Sequence, residues 1–281
     1  MKLRFLGTAA AEGIPAIFCE CETCKKARAN RGKDIRTRSQ SIINDDLLID
    51  LSADSYMHSI INNIDFTPIC HCLISHSHSD HLYPDELYNR RHGFSVVRDE
   101  IHTLNLYGSE LVLDHLKLSM RSNYDNLIND KAIDFHVVEP YKPFEILNYR
   151  VTAFEASHDP KSGPLFYAVE QGGKSILHAN DTGIFKDSVW DYIKSSGIHF
   201  DLVSLDCTGG DMPITYLDCH MNVDACRKTK AELIRLGAAD ENTAFILNHF
   251  THNSKVVIYD ELSSRVKGEF DVSYDGMDIE I

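Results

Sequence analysis

His76-Ser77-His78-Ser79-Asp80-His81 places three imidazoles and a carboxylate within six residues. The run follows Ile69–Ser75 (ICHCLIS), a compact apolar stretch whose length predicts a buried strand rather than a helix. Neutral imidazole and carboxylate oxygen are the usual ligands of Zn²⁺, Mn²⁺ or Fe²⁺, so HxHxDH at a strand end reads as a chelate held by a rigid element. A second cluster, Cys19-Glu20-Cys21-Glu22-Thr23-Cys24, presents three thiols at CxCxxC spacing. A chain of this length has little need of disulfides, so clustered thiols read first as metal ligands. Structural zinc sites are closed and four-coordinate, which calls for a fourth ligand elsewhere. Cys70 and Cys72 alternate along the apolar run and are expected to face one side as small packing groups. Cys219 and Cys226 carry no assignment.

Strands must position these groups. KLRFL (2–6) reads as a strand ending at Gly7, and 41–44 with 46–51 as a hairpin through Asn44-Asp45. Further strands are expected near 104–107, 133–138, 149–156, 165–170 and 174–178, and helices at 54–63, 109–122 and 186–196. The last third reads as strand 201–206, helix 222–236, strand 243–248, helix 254–266 and strand 269–273. Early strands look antiparallel and later ones alternate with helices. Two sheets flanked by helices, an α+β arrangement in one domain spanning 1–281, fits this order.

The chain has 281 residues, with 28 Lys+Arg against 42 Asp+Glu, a formal charge of −14. That balance argues against nucleic acid or an anionic membrane surface as partner. No apolar run approaches the roughly 20 residues that cross a bilayer. The opening MKLRFLGTAAAEGIPA has too short an apolar core for a secretory signal, so a cytoplasmic protein is expected.

With these motifs the chain resembles the metallo-β-lactamase superfamily, a four-layer αβ/βα sandwich with a dinuclear metal site between its sheets. Asp50 matches the first motif, a carboxylate supporting the site from behind the ligands. His76, His78, Asp80 and His81 match the second, His158 the third, Asp181 the fourth and His249 the fifth, in the family's order. Alone, His158 or His249 would read as a core or loop histidine; their places at strand ends give them weight. The resemblance implies that His76, His78 and His158 bind one divalent metal and Asp80, His81 and His249 the other, with Asp181 and a hydroxide between them. Zinc or manganese is expected, with iron as an alternative. The implied reaction is hydrolysis by attack of the bridging hydroxide.

Gly13-Ile14-Pro15-Ala16-Ile17-Phe18-Cys19-Glu20-Cys21 and His252, three residues after His249, resemble the PhnP-type phosphoribosyl cyclic phosphate phosphodiesterase family. There a loop with three thiolates and such a histidine bind a structural zinc, which implies a site of Cys19, Cys21, Cys24 and His252 in a loop at about 13–26. By position His220, in DCHMNVD, matches a histidine beside the scissile phosphate; with Asp80 it is the residue expected to be catalytic. The substrate implied is a small phosphorylated molecule, and a homodimer stays open. Asp206–Gly210 could direct backbone N–H groups at substrate. Residues 84–103 and 115–131 are expected to border the pocket, with Arg90 and Arg91 either binding a second phosphate or lying on an exposed helix face. RTRSQSI (36–42) and the Cys loop also resemble the B protein of pyrroloquinoline quinone biosynthesis, whose catalytic set tends to be eroded. A non-catalytic protein of that kind, and a thioesterase or lactonase, remain alternatives.

Overall fold

The computed structural model describes residues 1–213, 217–255 and 257–281. In chain order its strands are β1 (Lys2–Gly7), β2 (Gln40–Ile43), β3 (Leu47–Ile49), β4 (His71–Leu73), β5 (Leu104–Gly108), β6 (Ile133–Val137), β7 (Phe144–Ile146), β8 (Tyr149–Glu155), β9 (Leu165–Gln171), β10 (Lys174–Ala179), β11 (Leu202–Asp206), β12 (Ala244–Asn248), β13 (Asp271–Val272) and β14 (Met277–Glu280). One sheet has the order β14-β1-β2-β3-β4-β5-β6 and the other β13-β12-β11-β10-β9-β8-β7. The helices are α1 (Glu22–Asn30), α2 (Ser55–Ile61), α3 (Asp85–Tyr88), α4 (Glu110–Met120), α5 (Ser122–Asn129), α6 (Asp187–Ser196), α7 (Val223–Arg235) and α8 (Tyr259–Arg265).

Period-two alternation builds four layers. Ile43, Leu47, Ile49 and Leu73 point inward and meet Val151, Tyr167, Val169, Ile176, Leu202 and Ile246 of the facing sheet. Their neighbours Ile42, Leu48, Cys72 and Ile74 point outward, where Val112, Leu116 and Met120 of α4 and Leu127 of α5 cover them. On the far side, Val203, Leu205 and Leu177 pack against Val189 and Ile193 of α6 and Val223, Cys226 and Leu233 of α7. Deleting one such buried Leu typically costs about 2–5 kcal/mol, so each layer contributes substantially to a marginal total.

Each sheet is part antiparallel and part parallel. β14-β1-β2-β3 run antiparallel and β3-β4-β5-β6 parallel; β7-β8-β9-β10 run antiparallel and β10-β11-β12-β13 parallel. An early-antiparallel, late-parallel division therefore fails at both sheets' middles. The helix expected over 109–122 is α4, which ends at Arg121 with φ +52°; α5 beyond it was not expected. The helix expected over 254–266 starts only at Tyr259, because Ser254 donates its hydroxyl to Thr208 O at 2.5 Å and Val257 and Ile258 bury before the helix begins; Val256 lies outside the described residues. β7, β14, α1 and α3 have no counterpart in the sequence reading. Cys70 precedes β4 and is half-buried, its Sγ facing Pro68 O and Ile101 O, so only Cys72 packs as an apolar group.

Candidate metal centre

Six strands deliver the cluster at their C-terminal ends. Asp50 follows β3, His76–His81 follow β4, His158 follows β8, Asp181 follows β10, Asp206 closes β11 and His249 follows β12. Asp50, Asp181 and His249 have φ of +68°, +46° and +63°. This left-handed region is unfavourable for side-chain-bearing residues and collects at functional sites. The strain turns each chain sharply as its strand ends and aims the side chain into a common space.

One nitrogen each of His76, His78 and His158 lie within 4.8 Å of one another, as does one ligand atom each of Asp80, His81, Asp181 and His249. Asp181 joins the two groups: its Oδ2 is 3.3 Å from His76 Nε2 and 2.7 Å from His81 Nε2, and its Oδ1 is 3.4 Å from His249 Nδ1. Asp181, His81 and His249 are buried, yet Asp181 Oδ1, His81 Nε2 and His249 Nε2 make no well-directed hydrogen bond among the described residues, although His81 Nε2 and Asp181 Oδ1 lie close to polar neighbours. Unpaired buried polar atoms are costly, and three in one cluster of ligand-type atoms fit a divalent cation pair.

The outer atoms of these rings are held. Asp50 Oδ2 is 2.6 Å from His81 Nδ1, and Asp50 itself accepts from Ser75 N and Ser75 Oγ. Ser75 Oγ also lies 3.0 Å from His76 Nδ1. His158 Nδ1–H donates to Cys219 O at 3.3 Å, which turns Nε2 toward His78. Such contacts fix ring orientation and tautomer. Burial pushes His76 well below its ordinary value and lowers His158 as well, as a ligand's lone pair requires. Burial opposes charge on His81 too, but Asp80, Asp50 and Asp181 raise it well above the usual imidazole range. Burial likewise works against charge on Asp181, and His249 and His81 nevertheless hold it ionised.

His220 sits beside this cluster, its Nδ1 3.1 Å from Asp206 Oδ2 and 3.3 Å from Asp181 Oδ1. It precedes Asn222, which caps α7 by accepting from Ala225 N. Burial disfavours its charge, but Asp206 foremost, with Asp181 and Asp80, raises it above the ordinary imidazole value. The side chain of Asp206 had no role in the sequence reading, which gave its segment only backbone N–H groups. Its fully buried carboxylate accepts from Thr208 N, Thr208 Oγ1 and Met221 N as well as facing His220. The available signal was positional: an acid ending a strand beside others that end in ligands. The backbone amides of this segment do not reach for substrate, since Thr208 N serves Asp206, Gly209 N serves Met221 O and Gly210 N serves Cys207 O.

A cavity of about 360 Å³ lies over the cluster, lined by Ala10, Ala11, Glu12, His78, Asp80, His158, Asp181, Thr208, His220, His249, Thr251 and Asn253. Residues 84–103 and 115–131 contribute none of this lining, contrary to expectation: Leu116, Met120 and Leu127 bury on the outside of the first sheet, as does Leu87, while Phe94 and Val96 are exposed. Arg90 donates to Ile101 O and His102 O, and Arg91 pairs with Asp130 at 2.6 Å, so neither reaches the cavity.

Cys19, Cys21, Cys24 and His252 form a separate group with ligand atoms within 4.8 Å. Cys19 Sγ is 3.3 Å and Cys21 Sγ 3.6 Å from His252 Nδ1. Cys24 lies on α1, and Cys21 caps that helix by accepting from Cys24 N. Burial raises Cys21, but backbone and side-chain donors from Cys24, His252 and Cys19 outweigh it and bring it to about 6. Burial pushes Cys24 up to about 12. All eight cysteines are free.

The family model of the β-lactamase superfamily domain matches residues 47–249. No curated protein matches the chain. Among solved structures, a new diphosphatase from the PhnP family is 18% identical, with a TM-score of 0.73 and coverage of 100% of this chain and 96% of that one. The zinc-bound PqqB of Methylobacterium extorquens is 19% identical, with a TM-score of 0.77 and full coverage of both chains. The short form of human tRNase Z is 17% identical, with a TM-score of 0.66 and coverage of 100% and 99%. At these identities the likeness is one of fold.

Proposed function

Because the chain belongs to the β-lactamase superfamily, a fold of metal-dependent hydrolases, we propose that it is a phosphodiesterase acting on a small cyclic phosphate. The observation that carries the hydrolase part of this reading is Asp181, a single buried carboxylate in contact with both groups of histidines; His220 beside it and the thiol group favour a phosphodiester. His76, His78 and His158 would hold one divalent cation and Asp80, His81 and His249 a second. Bound there, the cations supply Lewis acidity toward phosphoryl oxygens and a water that ionises near neutral pH.

The protein's own groups do the rest. Asp50, Ser75 and the Cys219 carbonyl fix the ligand rings. Asp206 takes His220 Nδ1, leaving Nε2 to carry the proton for an alkoxide leaving group or to bind a phosphoryl oxygen. The buried floor and the small cavity favour a compact substrate, and the charge of −14 speaks for a small molecule rather than nucleic acid. Cys19, Cys21, Cys24 and His252 are read as a structural zinc site whose binding energy is coupled to folding.

The test is a substrate panel with metal-loaded enzyme: bis-p-nitrophenyl phosphate, cyclic nucleotides, a lactone and a thioester. Turnover of the diesters with neither lactone nor thioester cleaved is expected. Turnover of the lactone or thioester alone would replace the phosphodiesterase reading with an acyl hydrolase. Elemental analysis of protein purified without chelator should approach three metals per chain, two in the Asp181 cluster and one zinc among the thiols.

A further inference from the structure

The charged side chains lining the cavity over the Asp181 cluster, histidines apart, are all acidic. Among its described lining residues there is no Lys or Arg, while Glu12 stands at its mouth. The residues outside the description, Ile214, Thr215, Tyr216 and Val256, are uncharged by type. Asp80 and Asp181 belong to the proposed ligand set, but Glu12 does not: Asn253 Nδ2 donates to its Oε1 at 3.0 Å and Thr251 Oγ1 to its Oε2 at 3.3 Å. Two neutral donors orient the carboxylate without neutralising it. Each oxygen keeps acceptor capacity, which suits a pair of hydroxyl donors and opposes an anion.

His220 and the two proposed divalent cations offset the carboxylates of the cluster itself, where the reacting phosphate would bind, but the lysines and arginines nearest the cavity do not offset Glu12. Arg38 meets the rim only through Ala11 O at 2.9 Å and is paired with Asp54 at 2.9 Å. Lys186 lines the adjoining cavity beyond His158, but Glu155 and Asp218 line it too, and Glu155 Oε2 is 3.8 Å from Lys186 Nζ.

We propose that Glu12, oriented by Thr251 and Asn253, makes the site selective for phosphodiesters whose non-reacting part is a neutral, hydroxyl-bearing group, and that a second phosphate on the substrate is rejected. The proposal rests on the phosphodiesterase reading and narrows its substrate to a cyclic phosphate of an otherwise uncharged polyol or sugar.

Two measurements on the full metal-loaded chain test it. The first compares kcat/KM for α-D-ribose 1,2-cyclic phosphate and for the same compound phosphorylated at the 5-hydroxyl. Wild type should prefer the unphosphorylated compound by about tenfold or more. Glu12→Gln should shrink that ratio and Glu12→Lys should abolish or invert it, while Lys186→Ala should leave it unchanged. The second measures, by calorimetry, binding of D-ribose 1-phosphate against D-ribose 1,5-bisphosphate, with the monophosphate expected to bind more tightly. Preference for the 5-phosphorylated ligand in either measurement, or a ratio that neither Glu12 variant moves, overturns the proposal. Failure of every diester, bis-p-nitrophenyl phosphate included, sinks the phosphodiesterase reading instead, and the calorimetric comparison then judges Glu12 alone.

Discussion

The two ligand clusters are built in opposite ways. The Asp181 cluster draws on the ends of strands from both sheets, spans residues 50–249, and has five of its seven ligands buried, with His78 and His158 half-buried. The thiol cluster is local: three cysteines within six residues, half-exposed apart from Cys24, closed by one distant histidine. In the first, the packed sheets hold the ligands in place, so the fold makes the site. In the second, a short loop and one turn of α1 have little core of their own, so the site must help make the fold. His249 and His252 lie three residues apart at the end of β12 and give each cluster one ligand, which ties the two together.

The contrast is broken most directly at Asp181. Asp181→Ala should reduce turnover by more than about 10³-fold, because the carboxylate that would hold both cations is lost, while the melting temperature stays within a few degrees of wild type. A collapse of the fold in this variant would mean that the Asp181 cluster is structural. Next in size is His220→Ala. General acid catalysis contributes about 10²–10⁴-fold, so kcat should fall by that factor on substrates with poor alkoxide leaving groups. With p-nitrophenolate, which leaves unprotonated, the loss should be much smaller, and metal content should be unaltered. Equal losses on both would reduce His220 to a phosphate-binding group.

Cys21→Ser tests the other side. It should release one zinc and lower stability on the order of 5 kcal/mol, a fraction of the roughly 10–16 kcal/mol with which structural zinc binds its ligands. Any protein that remains folded should keep both metals of the Asp181 cluster. Wild-type melting with all three metals retained would remove the thiols from the ligand set.

The smallest effect concerns a histidine outside both clusters. His58 is as buried as His81, but both its nitrogens are paired, Nδ1 with Gln40 Oε1 at 2.6 Å and Nε2 with Thr37 Oγ1 at 2.7 Å. Burial lowers it to about 4. The folded state then binds fewer protons than the unfolded chain between pH 6.5 and 4, so its contribution is complete above 6.5 and is lost as pH falls, by about 3 kcal/mol at most. Asp275, raised by burial to about 6 and joined to His58 through Thr37, acts with the opposite sign. Denaturant unfolding of wild type and His58→Asn at pH 7.5 and 5 should therefore show a smaller acid loss in the variant. An identical pH response would show that His58 is not held neutral in the folded state.

Much of the candidate site was legible because its chemistry is written in residue types. HxHxDH and CxCxxC are local patterns, whereas Asp50, His158, Asp181, His249 and His252 were placed by the family resemblance, whose motifs they match in order. Two sheets flanked by helices followed from period-two apolar runs, which survive in sequence because each inward residue must find a partner across the sandwich; the four-layer arrangement came from the family resemblance. Other features depended on distances that no local pattern records. Asp206 became the partner of His220 only when β11 was laid between β10 and β12, and the Cys219 carbonyl reached His158 across 61 residues. Segments 84–131 border the first sheet rather than the pocket, since the depth of a helix's burial depends on which face of which sheet needs covering. The missing cationic wall around the cavity was equally invisible: the chain has 28 Lys and Arg, and only folding decides that none of them is among the described residues lining it. Composition and spacing thus determined which chemistry the chain carries. The tertiary structure decided what surrounds that chemistry, because the field and shape of a cavity arise from residues far apart in sequence.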